Sequence, residues 1–209
     1  SNSYTTGSIA VASSGSITGG LVGFNGGSIS NSYSSVTVAG GDNQTGGLVG
    51  SNDNGTISNS YALGSVSGTN NVGGLVGISS SGSITGSYAI GAVTGTLNVG
   101  GLLGNLFSSI ESATVTSLTN NYYDSATSGR SSAFGNGSAT GVTALNGVNA
   151  WLTNGPIATG TFSAGDWLGY PYPVLKSLPY VAVNIAPVSK TYDKVALGAP
   201  SVASVTNAA

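Results

Sequence analysis

The chain has 209 residues, a net charge of −2 from four Lys+Arg against six Asp+Glu, and no His, Cys or Met. Charged residues make up 5% where ~25% is usual, so no basic surface exists to displace counterions from nucleic acid or to rest on anionic lipid, and neither is expected as a partner. Without His or Cys there is no Ser-His or Cys-His nucleophile pair, no imidazole proton shuttle and no thiolate or imidazole metal site, and no cofactor is expected.

No apolar run approaches the roughly 20 residues that cross a bilayer, so membrane insertion is not expected either. Residues 1–20 hold neither a basic leader nor an apolar core. An export signal, if the chain is exported, is therefore expected outside this segment. The absence of Cys suits a secreted chain stabilised by something other than disulfides.

The chain opens with Ser1-Asn2-Ser3-Tyr4, which is the tail of a phrase that returns in full as Gly-Ser-Ile-Ser-Asn-Ser-Tyr from Gly27, Gly-Thr-Ile-Ser-Asn-Ser-Tyr from Gly55 and Gly-Ser-Ile-Thr-Gly-Ser-Tyr from Gly82. It thus starts inside a repeat, and a preceding segment is expected. Gly-Gly-Leu-Val-Gly begins at Gly19, Gly46 and Gly73 and returns as Gly-Gly-Leu-Leu-Gly at Gly100, a spacing of 27 each time. Uniform columns result: Leu21, Leu48, Leu75 and Leu102; Ile29, Ile57 and Ile84; Val38, Val66 and Val93; and Tyr4, Tyr33, Tyr61 and Tyr88. Positions between them vary among Ser, Thr, Asn, Ala and Gly, the mark of short strands with one buried face. Helix formers are scarce, and Gly at this density would cost ~1 kcal/mol at each interior helix position, which rejects an α-solenoid.

The predicted fold is all-β: a parallel β-helix (β-solenoid), expected right-handed, of about 27 residues per coil with a C-terminal cap. Three apolar strand segments per coil, turned by Gly, Asn, Asp and Ser corners, would stack at ~4.8 Å with like residues above one another. No coil can stand alone, because burying a few side chains at ~1.5–3 kcal/mol each does not offset ~1–2 kcal/mol of backbone ordering per residue. Asn31 and Asn59 are expected to form a short amide ladder, interrupted by Gly86. The period fails after Gly104, where Leu106-Phe107-Ser108-Ser109-Ile110-Glu111 is inserted and the tyrosine arrives late, at Tyr122 and Tyr123. The expected division is 1–124 solenoid, 125–178 cap, rich in bulky residues such as Trp151, Phe162 and Trp167, and 179–209 linker plus the truncated start of another module. A short helix is expected to start near Thr143-Ala144-Leu145-Asn146.

The Gly-Leu-Val-Gly phrases, with Asn-Tyr-Tyr-Asp at 121–124, Thr-Ser-Gly at 127–129 and Gly-Tyr-Pro-Tyr-Pro at 169–173, resemble the GLUG-motif region of large secreted bacterial surface proteins. Ala186-Pro187-Val188-Ser189-Lys190-Thr191-Tyr192-Asp193 resembles the opening of a YDG or MBG type β-sandwich module, with Lys194 where that pattern has Gly. The resemblance implies a filamentous-haemagglutinin-like adhesin at the bacterial cell surface, exported through an outer-membrane partner. It brings no catalytic motif.

Several residues invite functional readings. Tyr33, Tyr61 and Tyr88 could stack sugar rings, as in a carbohydrate-binding module for host or cell-surface glycans, but a packed structural column is the favoured reading, with Ile29 and Tyr33 sharing strand parity. Asp42 and Asp53, with Asn43, Asn52 and Asn54, could offer oxygens to Ca²⁺, yet they follow different phrases and read as turn residues. The six acids, Asp42, Asp53, Glu111, Asp124, Asp166 and Asp193, are scattered singly, which argues against a paired-carboxylate enzyme, and no catalytic or metal residue is assigned. The column Ser8, Thr37, Ser65 and Ala92 is not the threonine array that ice binding needs. Asn43, Asn54 and Asn136 match the N-glycosylation pattern at a frequency near chance. Low net charge favours self-association into filaments.

Overall fold

A computed structural model of the chain describes residues 1–11, 15–107, 116–163, 166–169, 172–177, 180–185 and 202–208. Parallel coils about 27 residues apart stack into a β-solenoid of about 5 turns. The columns expected from the sequence line up. Leu21 N–H donates to Leu48 O, Leu48 N–H to Leu75 O and Leu75 N–H to Leu102 O, each at 2.9 Å. Ile29, Ile57 and Ile84 pair in register, as do Val38, Val66 and Val93.

Each full coil contributes five short strands rather than the three expected, because the Gly-Gly pair and a left-handed corner each bend what reads as one apolar segment. The tyrosine sheet has six strands: Tyr4–Thr5, Tyr33–Ser34, Tyr61–Ala62, Tyr88–Ala89, Asn121–Asp124 and Val142–Leu145. The isoleucine sheet is Ser28–Ser30, Thr56–Ser58, Ser83–Thr85 and Ser117–Thr119, and the valine sheet Ser8–Ala10, Thr37–Ala39, Val66–Ser67 and Val93–Thr94. The two remaining sheets flank the Gly-Gly-Leu phrase, one ending at its first glycine and the other beginning just after its leucine.

Two clusters fill the interior. One joins Leu48, Leu75, Leu102, Ile29, Ile57 and Ile84 with Ala62, Ala89 and Tyr123; the other joins Val38, Val66 and Val93 with Val36 and Val72. The tyrosine column belongs to neither. Tyr61, Tyr88 and Tyr122 form a third cluster with Leu145, Trp151, Phe162, Trp167 and Leu175. Shared parity of Ile29 and Tyr33 is therefore overturned, and the reason lies between them. Asn31 (φ 48°), Asn59 (φ 47°) and Gly86 (φ 57°) are left-handed, a conformation that breaks the two-residue alternation and turns the tyrosine outward while the isoleucine stays inside.

That corner also replaces the expected ladder of Asn31 and Asn59. The cross-coil links are made one residue later, where Ser3 N–H donates to Ser32 Oγ (3.1 Å), Ser32 N–H to Ser60 Oγ (3.2 Å), Ser60 N–H to Ser87 Oγ (3.2 Å) and Ser87 N–H to Asn121 Oδ1 (3.1 Å). Amide links lie elsewhere, as in Asn25 Nδ2 donating to buried Asn52 Oδ1 at 2.7 Å.

Parallel stacking continues beyond Asp124. Phe134–Asn136 pairs with Leu103–Leu106, and Val142–Leu145 with Asn121–Asp124, so the last turn of the solenoid occupies the first part of the segment expected as cap. Thr143 to Leu145 is strand, and the helix begins at Gly147. Two helices, α1 (Ser125–Ser128) and α2 (Gly147–Asn154), and an antiparallel pair, Trp167–Gly169 with Pro173–Leu175, complete this region. Tyr180–Ile185 pairs antiparallel with Val202–Ala208. Glu111, Tyr170, Pro171 and the phrase from Ala186 to Asp193, with Lys194, lie outside the described residues.

Candidate functional site: the tyrosine face and its strap

Tyr4, Tyr33, Tyr61 and Tyr88 stack ring on ring. Centroids are 5.3, 4.9 and 5.0 Å apart, with interplanar angles of 11°, 4° and 2°. Each ring is carried by the two-residue strand that follows a left-handed corner, so the coil spacing itself sets the stacking distance. A sugar needs an open ring face. Neighbouring tyrosines take both faces of Tyr33 and Tyr61 and one face of Tyr88, whose ring is fully buried and also meets Trp151, Phe162 and Trp167, while the outer side of Tyr4, 47% exposed, is left.

The described residues between 147 and 177 form a strap over the outward edges of the column. Trp167 lies 5.8 Å from Tyr61 and 6.1 Å from Tyr88, Trp151 lies 5.3 Å from Tyr88, and Phe162 meets Tyr122 edge-on at 5.6 Å. The segment expected to cap the end of the coil thus lies along its side. Hydrogen bonds accompany the apolar contacts: Tyr88 Oη donates to Pro173 O, and the Tyr61 hydroxyl is hydrogen-bonded to the Leu175 backbone. Nitration with tetranitromethane is expected to modify Tyr4 and to spare Tyr61 and Tyr88 until urea unfolds the chain. Modification of Tyr88 in the native protein would contradict this packing.

Asp124 holds the strap at its lower end. It is fully buried at the end of the fifth tyrosine-sheet strand, where its Oδ1 accepts from the N–H groups of Ala126 (2.9 Å), Thr127 (3.2 Å) and Gly147 (3.1 Å), and its Oδ2 from Tyr172 Oη (2.8 Å). One carboxylate caps α1, fixes the start of α2 and anchors the returning hairpin. From the sequence Asp124 is one scattered acid among six. The signal for its role is Asp followed by a Ser-Ala-Thr-Ser-Gly run, a helix cap with a terminating glycine.

Burial pushes the hydroxyl pKa values of Tyr61 and Tyr88 upward, and burial together with the Asp124 hydrogen bond pushes Tyr172 up to about 12. An unfolded tyrosine titrates near ~10, so the native state favours the neutral phenol, and this contribution is whole below pH ~10 and lost as pH rises through the folded value. The strap is expected to loosen between pH 10 and 12, read as a red shift of Trp151 and Trp167 fluorescence. An unchanged spectrum at pH 12 would contradict it.

The other candidates are dispersed. Asp42 Oδ1 accepts from Thr69 Oγ1 (3.0 Å), and Asp53 Oδ1 accepts from Ser80 Oγ (2.6 Å) and Asn54 Nδ2 (3.2 Å), so each carboxylate ties its corner to the next coil. Among the described residues no three His, Cys, Asp or Glu gather as metal ligands. Ser8, Thr37, Ser65 and Ala92 fall in one row of the valine sheet.

Residues 14–39 and 41–67 match the family model described as the GLUG motif. The chain carries GLUG repeats. Its third and fourth coils repeat the same columns in register with the matched pair. No curated protein and no solved structure matches the chain.

Proposed function

We propose that this chain is a structural, adhesive section of a large extracellular protein of the bacterial surface, with its GLUG coils serving as a stiff, protease-resistant body. One observation carries the reading: like columns fill the interior coil after coil, while the outer positions are mostly Ser, Thr, Asn and Gly, with a few exposed apolar residues such as Phe24 and Leu97 and almost no charge. Such a body stabilises itself through neighbour contacts alone, as repeat proteins do, and needs neither metal nor disulfide. The role is non-catalytic. Asp42, Asp53 and Asp124 spend carboxylate oxygens on the fold, which supports that view. Export through an outer-membrane partner and association of copies into filaments belong to the same reading.

The test is topological. Antibodies against the solenoid are expected to label intact cells of the producing bacterium and to block the attachment of those cells to surfaces. Antigen found only after the envelope is opened would overturn the proposal.

A further inference from the structure

The strap lies close to the coil corners at one level and stands away from them at another. At Gly86 an added Cβ would lie 3.8 Å from the ring of Phe162. Two coils earlier in the same corner row stands Asn31, left-handed at φ 48°. There a cavity of about 280 Å³ opens between coil and strap, lined by Asn31, Asp166, Leu175, Lys176 and Ser177. The hairpin fixes the two charged residues: Trp167 pairs with Leu175, and one step outward Lys176 N–H donates to Asp166 O at 2.9 Å. Elsewhere the described carboxylates are taken up by the fold, Asp42 and Asp53 by the next coil and Asp124 by the strap and its helices. The Asp166 carboxylate, the Asn31 amide and the Ser177 hydroxyl make no hydrogen bond to another described residue.

We propose that this cavity binds one neutral sugar residue of a glycan. Charge selects the class. A bound anion would meet Asp166 and a bound cation would meet Lys176, so an ion of either sign is repelled by one of the two. Neighbouring sugar hydroxyls both donate and accept, and the lining answers them: the Asp166 carboxylate accepts, the Lys176 ammonium donates, and the Asn31 amide and Ser177 hydroxyl do both. Bonds to the two charged groups are the stronger ones. Size selects the number. The volume stands just below the ~300–1,000 Å³ typical of small-molecule pockets, which suits one ring and not a run of them. The lining holds no aromatic residue, so recognition goes through hydroxyls and not through stacking. Affinity of a single site is therefore expected in the millimolar range, to be raised by multivalency where many copies face one surface.

The site deepens the adhesive reading and rests on it for its use at a cell surface, but binding is measured on the purified chain and surface display on cells, so either can fail alone. The isotopically labelled full chain is titrated with glucose, galactose, mannose and N-acetylglucosamine, followed by NMR, and in parallel with inorganic phosphate and with the zwitterion glycine. At least one sugar is expected to move the amide signals of Asn31, Asp166, Lys176 and Ser177 together, while phosphate and glycine leave them in place. Asp166→Ala and Lys176→Met are each expected to weaken that sugar roughly tenfold or more, as the loss of a hydrogen bond to a charged group implies. Phe24→Ala, which removes an exposed ring outside the cavity, should leave binding unchanged. The Asp166 carboxylate holds no other described residue, so Asp166→Ala should keep the urea midpoint of the parent. The proposal is overturned if none of the four sugars moves these signals, if phosphate or glycine moves them as strongly, or if Asp166→Ala binds the sugar as the parent does.

Discussion

Replacing Asp124 with alanine is expected to destabilise the protein by about 3–5 kcal/mol and to free the strap, seen as a lower urea midpoint and a red shift of Trp151 and Trp167 fluorescence. The size follows from what the carboxylate holds. Four donors on three elements converge on it: Ala126 and Thr127 N–H in α1, Gly147 N–H in α2, and Tyr172 Oη in the hairpin approach. Alanine leaves them without an acceptor in a partly buried site, where each unmade bond costs ~1–3 kcal/mol less whatever water can enter to restore. The loss of the α1 cap alone would account for ~0.5–2 kcal/mol. Tyr172→Phe removes one donor and keeps the ring, so it should cost about 2 kcal/mol, in the range for hydrogen bonds to charged groups. If Asp124→Ala unfolds within ~1 kcal/mol of the parent, the carboxylate does not organise the strap.

The coil stack was legible in the sequence because like must meet like when parallel strands stack, and a fixed spacing of Leu21, Leu48, Leu75 and Leu102 admits little else. The face on which the tyrosines lie was not. Strand parity assumes uniform extended backbone, and Asn31 and Asn59 supply a left-handed residue between isoleucine and tyrosine. The Asn-Ser-Tyr phrase contains that information, since Asn is the non-glycine residue that best tolerates positive φ, but only once a corner is suspected there. The strap was harder still. Trp151, Phe162 and Trp167 read as bulk needed to close an open end, and nothing local in them says that they lie along a side. That depends on Tyr172, Pro173 and Leu175 meeting Asp124, Tyr88 and Tyr61, pairings far apart in sequence.

The glycines that open each GLUG phrase yield the second large effect. Gly74→Ala is expected to destabilise the protein more than Leu75→Ala, although the first adds one methyl group and the second empties a fully buried column position worth ~2–5 kcal/mol. A Cβ on Gly74 would lie 2.2 Å from Gly101 O and 3.0 Å from Ala89 Cβ, and one on Gly73 would lie 1.9 Å from Val76 O. Neither residue has a positive φ, so the demand is for space and not for a special conformation. Gly101 O belongs to the next coil. It cannot retreat without separating Leu75 N–H from Leu102 O, a 2.9 Å bond that ties the two turns together. The same clash recurs at Gly20 and Gly47, each 2.2 Å from a carbonyl oxygen one coil on, so Gly47→Ala should match Gly74→Ala in urea midpoint. Gly27→Ala, in the same repeat as Gly20, provides the contrast. Nothing lies within 4 Å of its Cβ position, and the change should stay within ~1 kcal/mol of the parent, on the stabilising side if the loss of unfolded-state freedom dominates. Equal midpoints for Gly74→Ala and Gly27→Ala would mean that the coils do not approach as closely as the paired glycines require.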